Sequence, residues 1–116
     1  MKLGVGYRMQ TDPYTNEIKR LVREKPMGDV QYISSDAGFV SANNPNQWRL
    51  SKKLAGGGAL MDMGVYAIQS SIYGAGANPV SISAQEFKTR PDYFKEVDES
   101  ITAQMKFSND VVGNMF

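Results

Sequence analysis

Leu3, Val5 and Tyr7 alternate with Lys2, Gly4, Gly6 and Arg8, the period of a strand with one buried face. Asp12-Pro13 then predicts a helix start: a carboxylate N-cap, followed by a proline whose missing N–H costs nothing at that position. Tyr14, Ile18, Leu21 and Val22 fall on one side of this helix, and Pro26 with Gly28 stops it. Residues 29–40 are rich in β-formers and predict a long strand with a weak inner face; residues 41–47 read as a polar loop. From Ala59 to Tyr73 the apolar residues Met61, Val65, Ile68 and Ile72 recur at helical spacing, and Gly74, Gly76 and Asn78-Pro79 end that run. Val80 to Phe87 alternates Val80, Ile82 and Ala84 with serines and Gln85. The clearest strand runs from Val97 to Phe107, with Ile101, Ala103, Met105 and Phe107 on one face and Thr102, Gln104 and Lys106 on the other. Ser108-Asn109-Asp110 is a turn, and Val111 to Phe116 begins a partner strand.

The predicted order is β-α-β-α-β-β-β. Strands that each keep one polar face indicate an α+β fold, a largely antiparallel sheet with helices packed on one face. The last strand runs to Phe116 with no capping residue or polar tail, which predicts a chain longer than these 116 residues.

Composition then removes much of the chemistry. The chain has no cysteine and no histidine, so thiol nucleophiles, disulfides, imidazole bases and the usual zinc ligands are all missing. A catalytic proton carrier has to be Asp, Glu, Lys or Tyr. The net charge of +1 is scattered, and the densest basic stretch (Lys19-Arg20, Arg23, Lys25) is interleaved with Glu17 and Glu24, the wet face of a helix. Neither nucleic acid nor a membrane is expected as a partner: there is no basic excess, and no apolar run approaches the roughly 18 residues that span a bilayer. The first residues lack the pattern of a signal peptide. Cysteine absence fits a bacterial cytoplasm or periplasm equally, so it assigns no compartment.

Four groupings remain as candidate chemistry. Gly4-x-Gly6 lacks the third small residue of a dinucleotide fingerprint, whose place holds Met9, and Tyr7-Arg8 continue the strand. Gly56–Gly58 ahead of a helix can be an anion cradle or a flexible turn, and the pattern favours neither. Asp62 and Tyr66 share a helix face at i,i+4 spacing, beside the apolar stripe; most such pairs are an exposed acid and a core-edge ring. A phenol near its ordinary pKa of about 10 also needs a neighbouring cation to favour its phenolate, and none stands at helical spacing. Trp48-Arg49 can stack and clasp a sugar or carboxylate, or anchor a loop; the two readings are balanced.

Together these segments resemble one family. Gly6-Tyr7-Arg8, Pro13, Trp48-Arg49, Ala55-Gly56-Gly57-Gly58-Ala59-Leu60 and Asp62-x-Gly64-x-Tyr66 occur in the order of the Gfo/Idh/MocA oxidoreductases, the relatives of glucose–fructose oxidoreductase. Pro79-Val80 and Val97-Asp98-Glu99 continue the match. The resemblance implies a two-domain enzyme in which a Rossmann domain binds NAD or NADP and a C-terminal α+β domain binds substrate and mediates oligomerisation. This chain is similar to the second domain only, truncated at its C-terminal strands. Residues 1–10 would be the crossover strand from the missing Rossmann domain, and residues 11–116 the substrate and oligomerisation domain. The family motif implies that Asp62 and Tyr66 are the catalytic acid/base and orienting pair, with Tyr7, Arg8, Trp48 and Arg49 binding a sugar-like substrate. No cofactor-binding or metal-ligating residue is expected in this chain, which alone should be inactive. Glu24-Lys25-Pro26 repeats the family's catalytic Glu-Lys-Pro letters but ends a helix downstream of Gly6-Tyr7-Arg8. Lys25 therefore reads as a solvent-facing helix-end cation, and the catalytic lysine lies outside the chain. The alternative function is a non-catalytic, sheet-mediated dimerisation or ligand-binding module, suggested by the amphipathic strand Val97–Phe107 and its open C-terminal edge.

Overall fold

Asp12 caps the first helix as its position predicts. In the computed structural model, which describes residues 1–41 and 44–116, its carboxylate accepts the Thr15 N–H at 2.9 Å and the Thr15 hydroxyl at 3.1 Å. Helix α1 runs over Pro13–Glu24 and closes on Lys25 in the left-handed conformation at φ 51°. Lys25 is exposed and pairs with Asp29, the helix-end cation that was expected. The side of α1 that meets the rest of the fold differs from the apolar reading. Thr15 is buried, Lys19 lies 3.8 Å over the Tyr73 ring, and Val22 packs against Gly76. Tyr14 is 82% exposed. The contact stripe is thus Thr15-Lys19-Val22, because a lysine stem covers an aromatic ring as well as an aliphatic side chain does.

Four strands form one mixed sheet in the order β1-β4-β3-β2: β1 Tyr32–Ser35, β2 Pro79–Phe87, β3 Ser100–Phe107 and β4 Val112–Met115. The β2–β3 and β3–β4 ladders are antiparallel, and β1 joins β4 in parallel with Ile33 opposite Gly113. The α+β class and the largely antiparallel sheet agree with the sequence. The strand expected over residues 29–40 is shorter, with its ladder confined to Tyr32–Ser35 beside Val112–Met115. After it the chain makes a last bond from the Ala37 N–H to the Phe116 carbonyl and leaves Val40 exposed. The strand expected over Leu3–Tyr7 is an extended segment without a ladder partner among the described residues; Leu3 and Val5 stand in solvent. Positions 42 and 43 of the expected loop lie outside the described residues.

Two short turns not foreseen, Trp48–Leu50 and helix α2 (Lys52–Ala55), lead into helix α3 (Val65–Ala75), which is entered through a wider π-turn over Leu60–Gly64. Helix α3 lies across β1 and β4 and is backed by α1. Its sheet-facing residues are Gly64, Ala67, Ser71 and Ala75, with Ile68 and Ile72 packed beside them; Met61, expected in the stripe, is 58% exposed. Small residues let the helix approach until Gly74 meets the Ile33 side chain. Ser71 enters the core without penalty, since its hydroxyl donates to the Ala67 carbonyl at 2.9 Å. Under the helix, Ala103, Met105, Phe107, Val111 and Met115 complete the core. No helix among the described residues is long and apolar enough to cross a membrane.

Candidate active site

The entry to α3 is built where the glycine run meets an acidic segment from the other half of the chain. Gly56 ends α2 at φ 81°, a conformation that favours glycine. Asp98 then takes the next donors: its carboxylate accepts the Gly58 N–H and the Leu60 N–H, each at 2.7 Å, and its carbonyl accepts the Ala59 N–H at 3.1 Å. A Cβ on Gly58 would stand 2.0 Å from that carbonyl oxygen, so only glycine fits. The question left open by Gly56–Gly58 is answered from within: the anion at this helix start is the chain's own Asp98. Gly4 and Gly6 have nothing within 4 Å of a built Cβ and lead into no long helix.

Asp62 sits in the π-turn, where its N–H donates to the Gly58 carbonyl at 3.0 Å. Its carboxylate accepts Arg49 Nε at 3.1 Å, and the Arg49 guanidinium lies 4.6 Å over the Trp48 ring. Trp48, Arg49 and Asp62 thus form one continuous group. The ion pair is half exposed and contributes at most about 1 kcal/mol, so its value is orientation rather than stability. Tyr66 belongs to a second group. Its ring stacks on Tyr7 with centroids 5.4 Å apart and planes 10° from parallel, while the Tyr7 hydroxyl donates to the Val65 carbonyl at 3.0 Å. Burial, and then the neighbouring Tyr66 and Tyr73, push the Tyr7 phenol up from its ordinary pKa, which keeps it a proton donor. Arg8 opens a short turn and is exposed; its carbonyl accepts the Thr11 and Asp12 N–H groups, and its side chain joins neither group.

A cavity of about 490 Å³ opens beside the first group, with Trp48, Arg49, Asp62, Phe94, Glu99 and Phe116 on its wall. Tyr7, Arg8 and Tyr66 are not on that wall. Two further carboxylates hold neighbouring backbone, and one of them, Glu99, is on the wall. Glu96 accepts the Lys52 N–H at 3.0 Å. Glu99 takes the N–H and hydroxyl of Thr89 and the N–H and Nε of Arg90. Burial would raise the Glu99 pKa, but the Arg90 and Thr89 donors outweigh it and lower it to about 2. These acids were not singled out as functional from the pattern. The available signal was three carboxylates within four residues, Glu96 to Glu99, without a basic run beside them.

Residues 15–116 match the family model described as the GFO/IDH/MocA C-terminal domain. Among curated relatives, D-xylose 1-dehydrogenase (NADP(+)) of Haloarcula marismortui is 29% identical over 112 residues, 94% of this chain and 31% of the relative. Trans-1,2-dihydrobenzene-1,2-diol dehydrogenase of Xenopus tropicalis is 33% identical over 97 residues, 83% of this chain and 27% of the relative. The chain thus spans under a third of the length of either protein. The crystal structure of aldose-aldose oxidoreductase from Caulobacter crescentus, complexed with glycerol, superposes with a TM-score of 0.89 at 37% identity. That match covers 98% of this chain and 34% of the other.

Proposed function

This chain belongs to the GFO/IDH/MocA family, as a C-terminal domain of it, and from that premise we propose that it is the substrate-binding and oligomerisation domain of an NAD(P)-dependent oxidoreductase. The substrate class is a sugar, polyol or related hydroxy compound, and the reaction class is hydride transfer. Residues 1–10 are then the crossover from a dinucleotide-binding domain and residues 11–116 the substrate domain. The observation that carries this reading is the Trp48–Arg49–Asp62 group on the wall of a cavity of about 490 Å³, one helical turn from Tyr66. A ring and a guanidinium held together suit a hydroxylated substrate: the indole offers an apolar face, and the Arg49 N–H groups not used by Asp62 offer donors. A sugar and a diol dehydrogenase stand among the chain's relatives, in keeping with that chemistry.

Asp62 accepts a substrate hydroxyl and fixes its direction, while Tyr66 gives or takes the proton of the reacting hydroxyl. Tyr7 backs the Tyr66 ring and Arg49 presents a cation to the substrate side, while Arg8, whose side chain stands apart from the cavity wall, is the outlying member of the substrate-binding set. The cation that favours a Tyr66 phenolate comes from a lysine outside these residues. Gly4-x-Gly6 lacks the third small residue of a dinucleotide fingerprint and the Gly58 and Leu60 donors are taken by Asp98, which supports the reading that the nicotinamide cofactor is held by another domain and that the isolated chain is inactive. In the full-length protein, Asp62→Asn and Tyr66→Phe should each lower kcat with aldoses by about 10²–10⁴-fold. Arg49→Ala should chiefly raise KM. Saturable NADP(H) binding by the isolated chain, or full activity in both variants, contradicts the assignment.

One observation favours a second reading, a non-catalytic module paired through its sheet. On the face away from α3, Phe87 and Phe116 stack at 5.7 Å and Val112 is exposed. Pairing of two copies on this face is also the homo-oligomer we propose for the enzyme. Sedimentation at high concentration tests the pairing, and a strict monomer removes it from both readings.

A further inference from the structure

We propose that Asp98 is the positioning residue of the reactive helix, holding Asp62 at the cavity through Gly58. This rests on the oxidoreductase reading above and assigns the device that aims its carboxylate. The N–H groups of Gly58, Ala59 and Leu60 all donate to this one residue. A helix start ordinarily leaves such donors to water or a local cap; here they are taken by a residue 38 and 40 positions away from Leu60 and Gly58. The grip passes directly onward. Gly58 is held at its N–H by Asp98, and its carbonyl accepts the Asp62 N–H at 3.0 Å. The Asp62 carboxylate then meets Arg49 Nε at 3.1 Å.

Asp98 is itself fixed from both sides. Glu96 is bonded to the start of α2, and Glu99 to Thr89 and Arg90, so the segment between them has little room to shift. Gly58 admits no Cβ against the Asp98 backbone, so the approach is made at closest range. Asp98 does not bond the Asp62 carboxylate. It sets where that group stands through the backbone, and its loss should slow the chemical step while leaving the dinucleotide site unchanged.

The test uses the full-length protein, with kcat counted per dinucleotide-binding site. Asp98→Ala should lower kcat about 10–100-fold, the scale of an ångström-sized misplacement, with dinucleotide affinity unchanged. Sodium formate, a carboxylate small enough for the vacated place, should restore several-fold of the loss, and sodium chloride at equal ionic strength should not. Asp98→Asn keeps the size and one accepting oxygen and should fall between, which preserves the test if the alanine variant does not fold. A kcat per site within twofold of wild type, or a loss that formate restores no better than chloride, overturns the proposal. Amide exchange separates this from the parent reading. If wild-type protein oxidises no sugar, the oxidoreductase reading fails by itself. Asp98→Asn should still speed exchange at the Asp62 N–H by about tenfold or more, and unchanged exchange there overturns the positioning role.

Discussion

Strands β2 and β3 are hydrogen-bonded neighbours with the same alternation, yet only one is buried. Ile82 pairs with Met105 and Ala84 with Ala103, so these side chains share a face of the sheet. Met105 is 2% exposed and Ile82 58%. Alternation decides which face a side chain takes; coverage is decided by what lies over the face. Helix α3 lies over β1 and β4 and the π-turn ahead of it reaches β3, while β2 is the edge of the sheet among the described residues. The functional consequence follows the same line: the π-turn that covers β3 carries Asp62, and the loop that feeds β3 carries Asp98 and Glu99. Core and candidate site are therefore joined at β3, while the side chains of β2 that share its inner face are exposed, as at Ile82.

Three experiments break or sharpen this contrast. The largest effect belongs to Phe107, fully buried with its ring against Gly113. Phe107→Ala should cost about 3–5 kcal/mol in chemical denaturation, and a cost under 1 kcal/mol would mean that β3 is not the centre of the core. Next is Glu99, at the entry to β3. Glu99→Gln should cost about 1–3 kcal/mol at pH 7, from the charged hydrogen bonds it loses. Its folded pKa is depressed to about 2, so its contribution is complete above the unfolded value and is lost as pH falls from about 4.5 toward 2. The gap between wild type and variant should therefore close at the acid end; a gap that stays constant across that range would count against the Glu99 clasp. The smallest effect is at Ile82, where Ile82→Ala should change stability by no more than about 0.5 kcal/mol. A loss above 2 kcal/mol in the full-length protein would show that another element covers β2.

Much of the fold was legible. Asp12-Pro13 marked the start of α1 and Pro26-Gly28 its end, and the period of β3 gave its inner face without error. The helix carrying Asp62-x-Gly64-x-Tyr66 was visible in part: α3 holds Tyr66, but Asp62 and Gly64 lie in the π-turn ahead of it, which the pattern did not reveal. The buried stripe of α3 was not, since Gly64, Ala67, Ser71 and Ala75 carry little hydrophobic signal and matter through the close approach they permit. Nor was the contact side of α1, where Lys19 against Tyr73 replaces the expected Tyr14 and Ile18. At the site, Trp48 and Arg49 were named, but their union with Asp62 depends on a turn at Trp48–Leu50 that the pattern did not reveal. Tyr7 was named as a substrate ligand, and the structure adds its stack on Tyr66 and its bond to Val65.

The sequence by itself determined where α1 starts and stops, which face of β3 turns inward, and which residue types stand ready for chemistry. Capping, turn chemistry and side-chain period act over a few residues, so they can be read along the chain. The tertiary structure decided that β1 pairs with β4 in parallel, that Ile82 on β2 is exposed while its partner Met105 is buried, and that Asp98 fills the helix start at Gly58. It also divided the candidate residues between Trp48–Arg49–Asp62 and Tyr7–Tyr66. Those outcomes join segments from 13 to about 80 residues apart, where loop closure and packing choose the partner and no local period records the choice.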